Sequence, residues 1–118
     1  MTRLSIRNRE KVPARVLEIA KVLGQNISAA RKRRRLRQVD LAAMAGTTLP
    51  TLRAVEAGNI GTGLGAYIST LWALGLDHSL LAVAAIEDDP EGQILERFSL
   101  RRGLAQPMIS RRRLDDNF

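Results

Sequence analysis

The sequence predicts an all-α fold, and three observations support this prediction. Apolar residues recur every three or four positions along residues 13–34, as they do on one face of an amphipathic helix. Two shorter segments, separated by Gly46, can each form a short helix with apolar residues turned inward. No segment reads convincingly as a strand. At 118 residues the chain is long enough for one modest core, and a second full domain is not expected.

The chain divides into four parts. Residues 1–12 are polar, charged and without periodicity, which predicts a flexible basic arm. Residues 13–87 are predicted to form the main helical domain, and residues 88–100 a short C-terminal helix. Residues 101–118 contain Gly103 and Pro107 and show no period, so a flexible tail is expected there.

The first three helices have recognisable ends. Pro13 suits the first turn of a long helix whose apolar stripe comprises Val16, Ala20, Leu23, Ile27 and Ala30. A second helix is predicted over residues 38–45 and ends at Gly46, which favours a left-handed C-terminal cap. Thr48 can cap a third helix with Pro50 in its first turn, and Gly58 ends it.

The later helices are predicted from composition. Residues 66–75 form a fourth helix containing Ile68, Leu71, Trp72 and Leu74. Residues 79–86, SLLAVAAI, are apolar nearly all round, which predicts a fifth helix packed on the core on one side and on a second copy of the chain on the other. The EDDP segment at residues 87–90 is typical of a helix N-terminus and predicts a sixth helix from Glu91 to about Leu100.

Charge and composition indicate the class of partner. The net charge is +7, with +6 on residues 15–58 and −5 on residues 59–100, so one part of the chain suits a polyanion such as nucleic acid. The absence of Cys and the single His78 argue against disulfides, thiolate zinc sites and a multi-histidine metal site. No nucleophile with a base is evident, and neither an enzyme nor a cofactor is expected. A cytoplasmic protein without a membrane partner is predicted.

Two short helices meeting at a glycine turn and braced by a longer helix are typical of a helix-turn-helix. Residues 27–76, ISAARKRRRLRQVDLAAMAGTTLPTLRAVEAGNIGTGLGAYISTLWALGL, resemble the Cro/C1-type (Xre) helix-turn-helix family of bacterial and phage repressors and antitoxins. The resemblance implies a lambda-repressor-like domain of five to six helices that acts as a dimer on a double-stranded operator palindrome.

The resemblance also assigns residues. It implies a structural salt bridge between Arg31 and Glu56 and a contact from Gln38 to the DNA backbone. The outward face of the third helix would read bases through Thr48, Leu49, Pro50, Thr51 and Arg53, and Leu49 suits contact with a thymine methyl group. Further DNA-backbone contacts are expected from Arg35, Arg37, Thr47, Gly61, Thr62 and Gly63. Arg35 stands where relatives often have Gly, which predicts a strained turn.

A second, looser resemblance suggests a role. Residues 23–118, from LGQNISAARKRRRL to the terminal RRRLDDNF, resemble HipB-like antitoxins, which dimerise, repress their own operon and neutralise a HipA-type kinase toxin. Dimer contacts are expected from Leu71, Trp72, Leu80, Leu81, Val83 and Ala84. The tail residues Arg112, Arg113, Leu114, Asp115, Asp116 and Phe118 would bind the toxin. The alternatives are a stand-alone regulator and a protein-interaction adaptor that kept the fold without reading DNA.

Overall fold

The computed structural model describes residues 11–102. They contain five α-helices: α1 (Ala14–Arg33), α2 (Gln38–Ala45), α3 (Leu49–Glu56), α4 (Leu64–Leu74) and α5 (Pro90–Arg102). Two 3₁₀ helices, His78–Ala82 and Ile86–Asp88, lie between α4 and α5. No strand occurs in this part of the chain, which confirms the all-α class.

The chain forms two compact units that divide between His78 and Ser79. In the N-terminal unit, α2 and α3 pack on each other, α4 contacts both of them, and α1 contacts α3 and α4. The largest fully buried side chains of its core are those of Ile27, Leu41, Leu52, Val55 and Thr70. Each of the four helices contributes at least one of them, so the two short helices are held by a core that neither could form alone.

Local signals at the helix ends act as the sequence predicts. Gly46 ends α2 with a φ of 68°, in the left-handed region, and its N–H donates to the carbonyls of Ala42 and Ala43. Thr48 caps α3, because its hydroxyl oxygen accepts a hydrogen bond from the Thr51 N–H at 3.2 Å. These two caps confine the connection between α2 and α3 to residues 46–48.

Two glycines allow the backbone of α1 to lie in direct contact with the backbone at the end of α3. A Cβ atom on Gly24 of α1 would lie 2.6 Å from the Glu56 carbonyl oxygen and from the Gly58 nitrogen. A Cβ atom on Gly58 would overlap the Ala20 carbonyl group. The crossing of α1 and α3 therefore depends on the absence of side chains at both positions.

The apolar stripe of α1 is only half buried within its own unit. Ile27 and Ala30 are in the core, whereas Val16 is 43% exposed. Val16, Ala20 and Leu23 instead line one wall of an open apolar groove of about 400 Å³, and the other lining residues are Asn59, Ile60, Thr62, Leu64 and Tyr67. The predicted apolar stripe is therefore buried only in the second half of α1, because α3 and α4 are too short to cover twenty residues of helix.

The C-terminal unit differs from the prediction for residues 79–86. This segment is not an α-helix: a 3₁₀ helix ends at Ala82 and Ala84 has a φ of 62°, which stops helical continuation. α5 begins one residue before the predicted start, and Asp89 accepts a hydrogen bond from the Gly92 N–H at 3.0 Å, as expected for a capping carboxylate. On α5, Ile94, Leu95 and Phe98 are about half exposed.

Candidate nucleic-acid interface

Helix α3 has one buried face and one exposed face. Leu52 and Val55 are fully buried, so the helix is anchored to the core along that side. Pro50 and Arg53 are exposed, and Leu49, Thr51 and Ala54 are partly exposed. Every residue assigned to base reading therefore retains surface that an approaching ligand can contact.

The two threonines of this face bind each other. The Thr48 hydroxyl donates to the Thr51 hydroxyl oxygen at 2.9 Å while accepting from the Thr51 N–H. The proton of Thr48 and one of its lone pairs are thus engaged in capping the helix. Arg53 is different, because its guanidinium forms no hydrogen bond or ion pair with any residue in the range 11–102.

Glu56, at the other end of α3, joins three helices. Arg31 of α1 donates through Nε to Glu56 Oε2 at 2.7 Å and through Nη2 to Glu56 Oε1 at 3.1 Å. Gln38, the first residue of α2, donates through Nε2 to Glu56 Oε1 at 3.0 Å. The structure thus brings together the predicted pair of Arg31 and Glu56, and it adds Gln38, whose role in this network the sequence did not indicate.

The environment of Glu56 shifts its pKa in two directions. Burial raises the pKa of this carboxyl, but hydrogen bonds from Arg31, Gln38 and Ser28 and the positive charge of Arg31 lower it by more. The net pKa lies below its ordinary value. The carboxylate is therefore charged at neutral pH and holds the Gln38 side chain in place at the N-terminus of α2.

A basic turn connects α1 to α2. Arg35 has a φ of 55°, so the predicted strain is present: a residue with a Cβ occupies the left-handed region that glycine favours. Its side chain is exposed and makes no hydrogen bond or ion pair within residues 11–102. Lys32 and Arg33 are exposed as well, whereas Arg34 donates to the Ala30 carbonyl oxygen at 2.9 Å. The end of α1 and this turn therefore present several cations without acidic partners among the described residues.

Arg37 is the exception among the predicted phosphate-binding arginines. Its guanidinium donates to both carboxylate oxygens of Asp40, at 3.0 and 2.9 Å, and hydrogen bonds from the Arg37 side chain and backbone lower the pKa of Asp40. Arg37 is exposed and Asp40 is partly exposed. A phosphate would have to compete with Asp40 for Arg37, so Arg35 is the better placed of the two.

The loop before α4 offers fewer free amides than the sequence predicts. Asn59 accepts the Gly61 N–H through its side chain at 2.7 Å and the Thr62 N–H through its carbonyl oxygen at 3.2 Å. The amides of Gly61 and Thr62 are therefore hydrogen-bonded within the loop, and a phosphate would have to compete with Asn59 for them. Gly63 is the N-cap of α4, and Thr62 is partly exposed. Thr47, also assigned to the DNA backbone, is partly exposed.

The residues assigned to a dimer contact differ in exposure. Leu71 is only 8% exposed because it packs in the core of the N-terminal unit, so it has little surface left for a second copy. Trp72, the next residue of α4, is 62% exposed. Leu81 and Val83 are 79% and 68% exposed, Ala84 is exposed and Leu80 is partly exposed. The tail residues assigned to a toxin contact, 112–118, lie outside the described residues.

Comparisons with known proteins add no relative: no family model, no curated protein and no solved structure matches the chain. Within residues 11–102, no group of three or more His, Asp or Glu side chains is placed to hold a metal ion. None of the described helices combines the length and apolar character needed to cross a membrane.

Proposed function

We propose that the protein is a sequence-specific DNA-binding repressor whose helices α2 and α3 form a helix-turn-helix. In this proposal α3 enters the major groove, and α2 crosses the sugar-phosphate backbone. The observation that carries the proposal is the two-sided environment of α3: Leu52 and Val55 are fully buried, while the neighbouring Arg53 is exposed and without a partner among the described residues. An unpaired guanidinium on a rigid helix can reach guanine O6 and N7 in the groove.

The proposed DNA-backbone contacts follow from the positive charges at the end of α1 and in the turn to α2. Lys32 and Arg33 at the end of α1 and Arg35 in the turn to α2 are exposed and, within residues 11–102, unpaired. Phosphate contacts of this type supply affinity and fix the register of the protein on DNA, but they do not read sequence. The Arg31, Gln38 and Glu56 network supports the same site by tying the start of α2 to the end of α3.

The protein would bind as a two-fold dimer. A dimer places two copies of α3 in successive major grooves, with half-sites about 34 Å apart. The exposed Trp72 suits a dimer contact, because large aromatic side chains are enriched in interfaces. Leu80, Leu81, Val83 and Ala84 remain the other proposed contacts.

The substitution Arg53→Ala tests the DNA-reading proposal. The upstream region of the protein's own gene would serve as probe, and affinity would be measured by fluorescence anisotropy together with a footprint. Loss of Arg53 should cost about 1–3 kcal/mol of binding free energy and relax sequence preference. Arg97→Ala, which removes an exposed arginine from α5, is the matched control and should bind as wild type does. Equal affinity and an unchanged footprint for Arg53→Ala would remove Arg53 from the readout.

The biological role proposed is that of an antitoxin, which represses its own operon and neutralises a HipA-like kinase. Its support is the looser resemblance of residues 23–118 to HipB-like antitoxins. Deletion of residues 111–118 should leave DNA affinity unchanged and weaken binding to a kinase encoded by the neighbouring gene. The reverse result would make this segment a DNA-binding arm.

A protein-interaction adaptor is the second candidate, and the apolar residues on the outer face of α3 favour it. Pro50 is exposed and Leu49 is partly exposed. They stand at positions where members of the Cro/C1-type family, which the sequence resembles, often have polar residues that reach base edges. An adaptor would show no saturable binding to any DNA duplex. The DNA-binding measurement therefore separates the two functions.

A further inference from the structure

The outer face of α3 is poor in hydrogen-bond acceptors. Residues 47–55 contain no Asn, Gln, Asp or Glu. The hydroxyls of Thr48 and Thr51 are joined at 2.9 Å, and Thr48 also caps the helix. The nearby amide and carboxylates, those of Gln38, Asp40 and Glu56, are engaged in contacts within the protein.

This shortage limits which bases the face can recognise. Adenine N6 and cytosine N4 present hydrogen-bond donors in the major groove, and each is read by a side-chain acceptor such as an amide or a carboxylate. The face of α3 offers neither. Of its two threonines, Thr51 keeps a proton and one lone pair, and such a hydroxyl pairs with donors and acceptors alike, so it discriminates little between bases. Arg53 is a donor only, with five N–H groups in a fixed geometry, so it matches the two acceptors of guanine.

The remaining surface is apolar and matches a different base. Leu49, Pro50 and Ala54 are at least partly exposed on the same short helix as Arg53. In the major groove the only apolar group that a base presents is the C5 methyl of thymine. Positions 49 and 53 are four residues apart, about one helical turn of 5.4 Å, which corresponds to one or two base-pair steps of about 3.4 Å.

The exposed cations of the N-terminal unit favour DNA over an apolar protein partner. Arg53 lies on the face itself, and Arg35, Lys32 and Arg33 are exposed without acidic partners within residues 11–102. An apolar peptide would leave these cations unpaired, whereas a duplex supplies phosphates to them and methyl groups to Leu49 and Pro50.

We infer that α3 reads a half-site made of guanine and thymine, in which Arg53 binds guanine and the apolar side chains of Leu49, Pro50 and Ala54 recognise thymine methyl groups one or two base pairs away. The inference rests on the proposed DNA-binding function and specifies the DNA sequence class that this function would use. Thymine methyl groups then contribute to specificity directly.

Replacement of thymine by deoxyuridine tests the inference, because the two bases differ only in the C5 methyl group. The probe is the duplex that the wild-type chain enriches most strongly from a random DNA pool. Thymines in the enriched half-site would be replaced one at a time. Each methyl group contacted by α3 should contribute about a fourfold change in affinity, and thymines outside the half-site should contribute none.

Two variants assign the effect to residues. Leu49→Ala should reduce the difference between thymine and deoxyuridine at one position, whereas Arg53→Ala should weaken binding and keep that difference. Ile94→Ala, which truncates an exposed aliphatic side chain on α5, is the matched control and should behave as wild type. The comparison of duplexes with wild-type protein stands even where a variant fails to fold.

The outcomes separate this inference from the proposed function. Saturable binding with equal affinity for thymine and deoxyuridine duplexes would overturn the inference and leave the DNA-binding proposal intact. Enrichment of half-sites made only of G·C pairs or only of A·T pairs would overturn it as well, because the inference requires both guanine and thymine. Absence of saturable binding to every duplex would contradict the proposed function and, with it, this inference.

Discussion

Glu56 shows how one residue couples the fold to pH. Its pKa in the folded chain is lower than in the unfolded chain, so the stabilisation that it provides is fully present above its ordinary pKa of 4.5. As the pH falls from there through the lowered pKa, the carboxylate is protonated and the ion pair with Arg31 is lost. Stability should therefore decline with acidification below about pH 4.5.

Urea denaturation between pH 7 and pH 3 would measure this dependence. Glu56→Gln retains the shape of the side chain but cannot titrate, so its free energy of unfolding should fall less on acidification than that of wild type. Asp40, whose pKa is also lowered, titrates in both proteins and cancels in the difference. Parallel pH profiles for the two proteins would show that Glu56 is not the group responsible.

Arg35 is the residue where stability and the proposed function oppose each other. Its left-handed backbone costs about 1–2 kcal/mol relative to glycine, and the greater freedom of glycine in the unfolded chain offsets part of that. Arg35→Gly should therefore raise the free energy of unfolding by about 0.5–1 kcal/mol.

The same substitution should weaken DNA binding and reduce the salt dependence by about one unit of slope for each phosphate that is no longer neutralised. Arg35→Lys, which keeps the charge and the strained backbone, is the matched control. A more stable Arg35→Gly protein with unchanged DNA binding would remove Arg35 from the phosphate-binding residues.

At the scale of elements, the crossing of α1 and α3 depends on Gly58. Its φ of 71° disfavours a side chain, and an added Cβ would overlap the backbone of α1 at Ala20. Gly58→Ala should reduce the free energy of unfolding by about 2 kcal/mol or more, because left-handed strain and overpacking add. Gly63→Ala is the control, since a Cβ there meets nothing within 4 Å. Equal melting temperatures for the two variants would contradict this account of the crossing.

The helices that the sequence predicted well are those with local signals at their ends. The predicted bounds of α2, residues 38–45, are confirmed, because Gly46 supplies the left-handed cap within the chain itself. The same holds for the Thr48 cap of α3 and the Asp89 cap of α5. Such caps depend on residues within three positions of each other, so a single sequence contains the information.

Two kinds of feature were not predicted from the sequence. Some depend on contacts between residues far apart in the chain, and others lie in segments whose composition fits more than one secondary structure. Residues 79–86 are apolar, but apolar character alone does not distinguish an α-helix from the 3₁₀ turns found there. The close approach of Gly24 to Gly58 and the bond from Gln38 to Glu56 join segments far apart in the chain. The hydrogen bonds from the Gly61 and Thr62 amides to Asn59 depend on a loop geometry that no spacing rule indicates.

At the scale of the whole molecule, the proposed dimer can be tested by the molecular mass of the protein in solution. Trp72 is 62% exposed in the single chain, so Trp72→Glu should leave the fold intact while placing a charge in the proposed interface. Sedimentation equilibrium should give twice the mass of one chain for wild type and the mass of one chain for the variant. Val39→Glu, at an exposed position of α2, is the control and should remain dimeric. A dimeric Trp72→Glu protein would place the interface elsewhere.

The salt dependence of DNA binding tests the central claim most directly, because it counts the phosphates that the basic surface neutralises. If each subunit of a dimer contacts two to four phosphates, the logarithm of the binding constant should fall with the logarithm of salt concentration with a slope of about −4 to −7. Saturable binding with such a slope, reduced in Arg35→Gly, is the result expected of a DNA-binding repressor. A slope near zero, or no saturable binding at low salt, would contradict it.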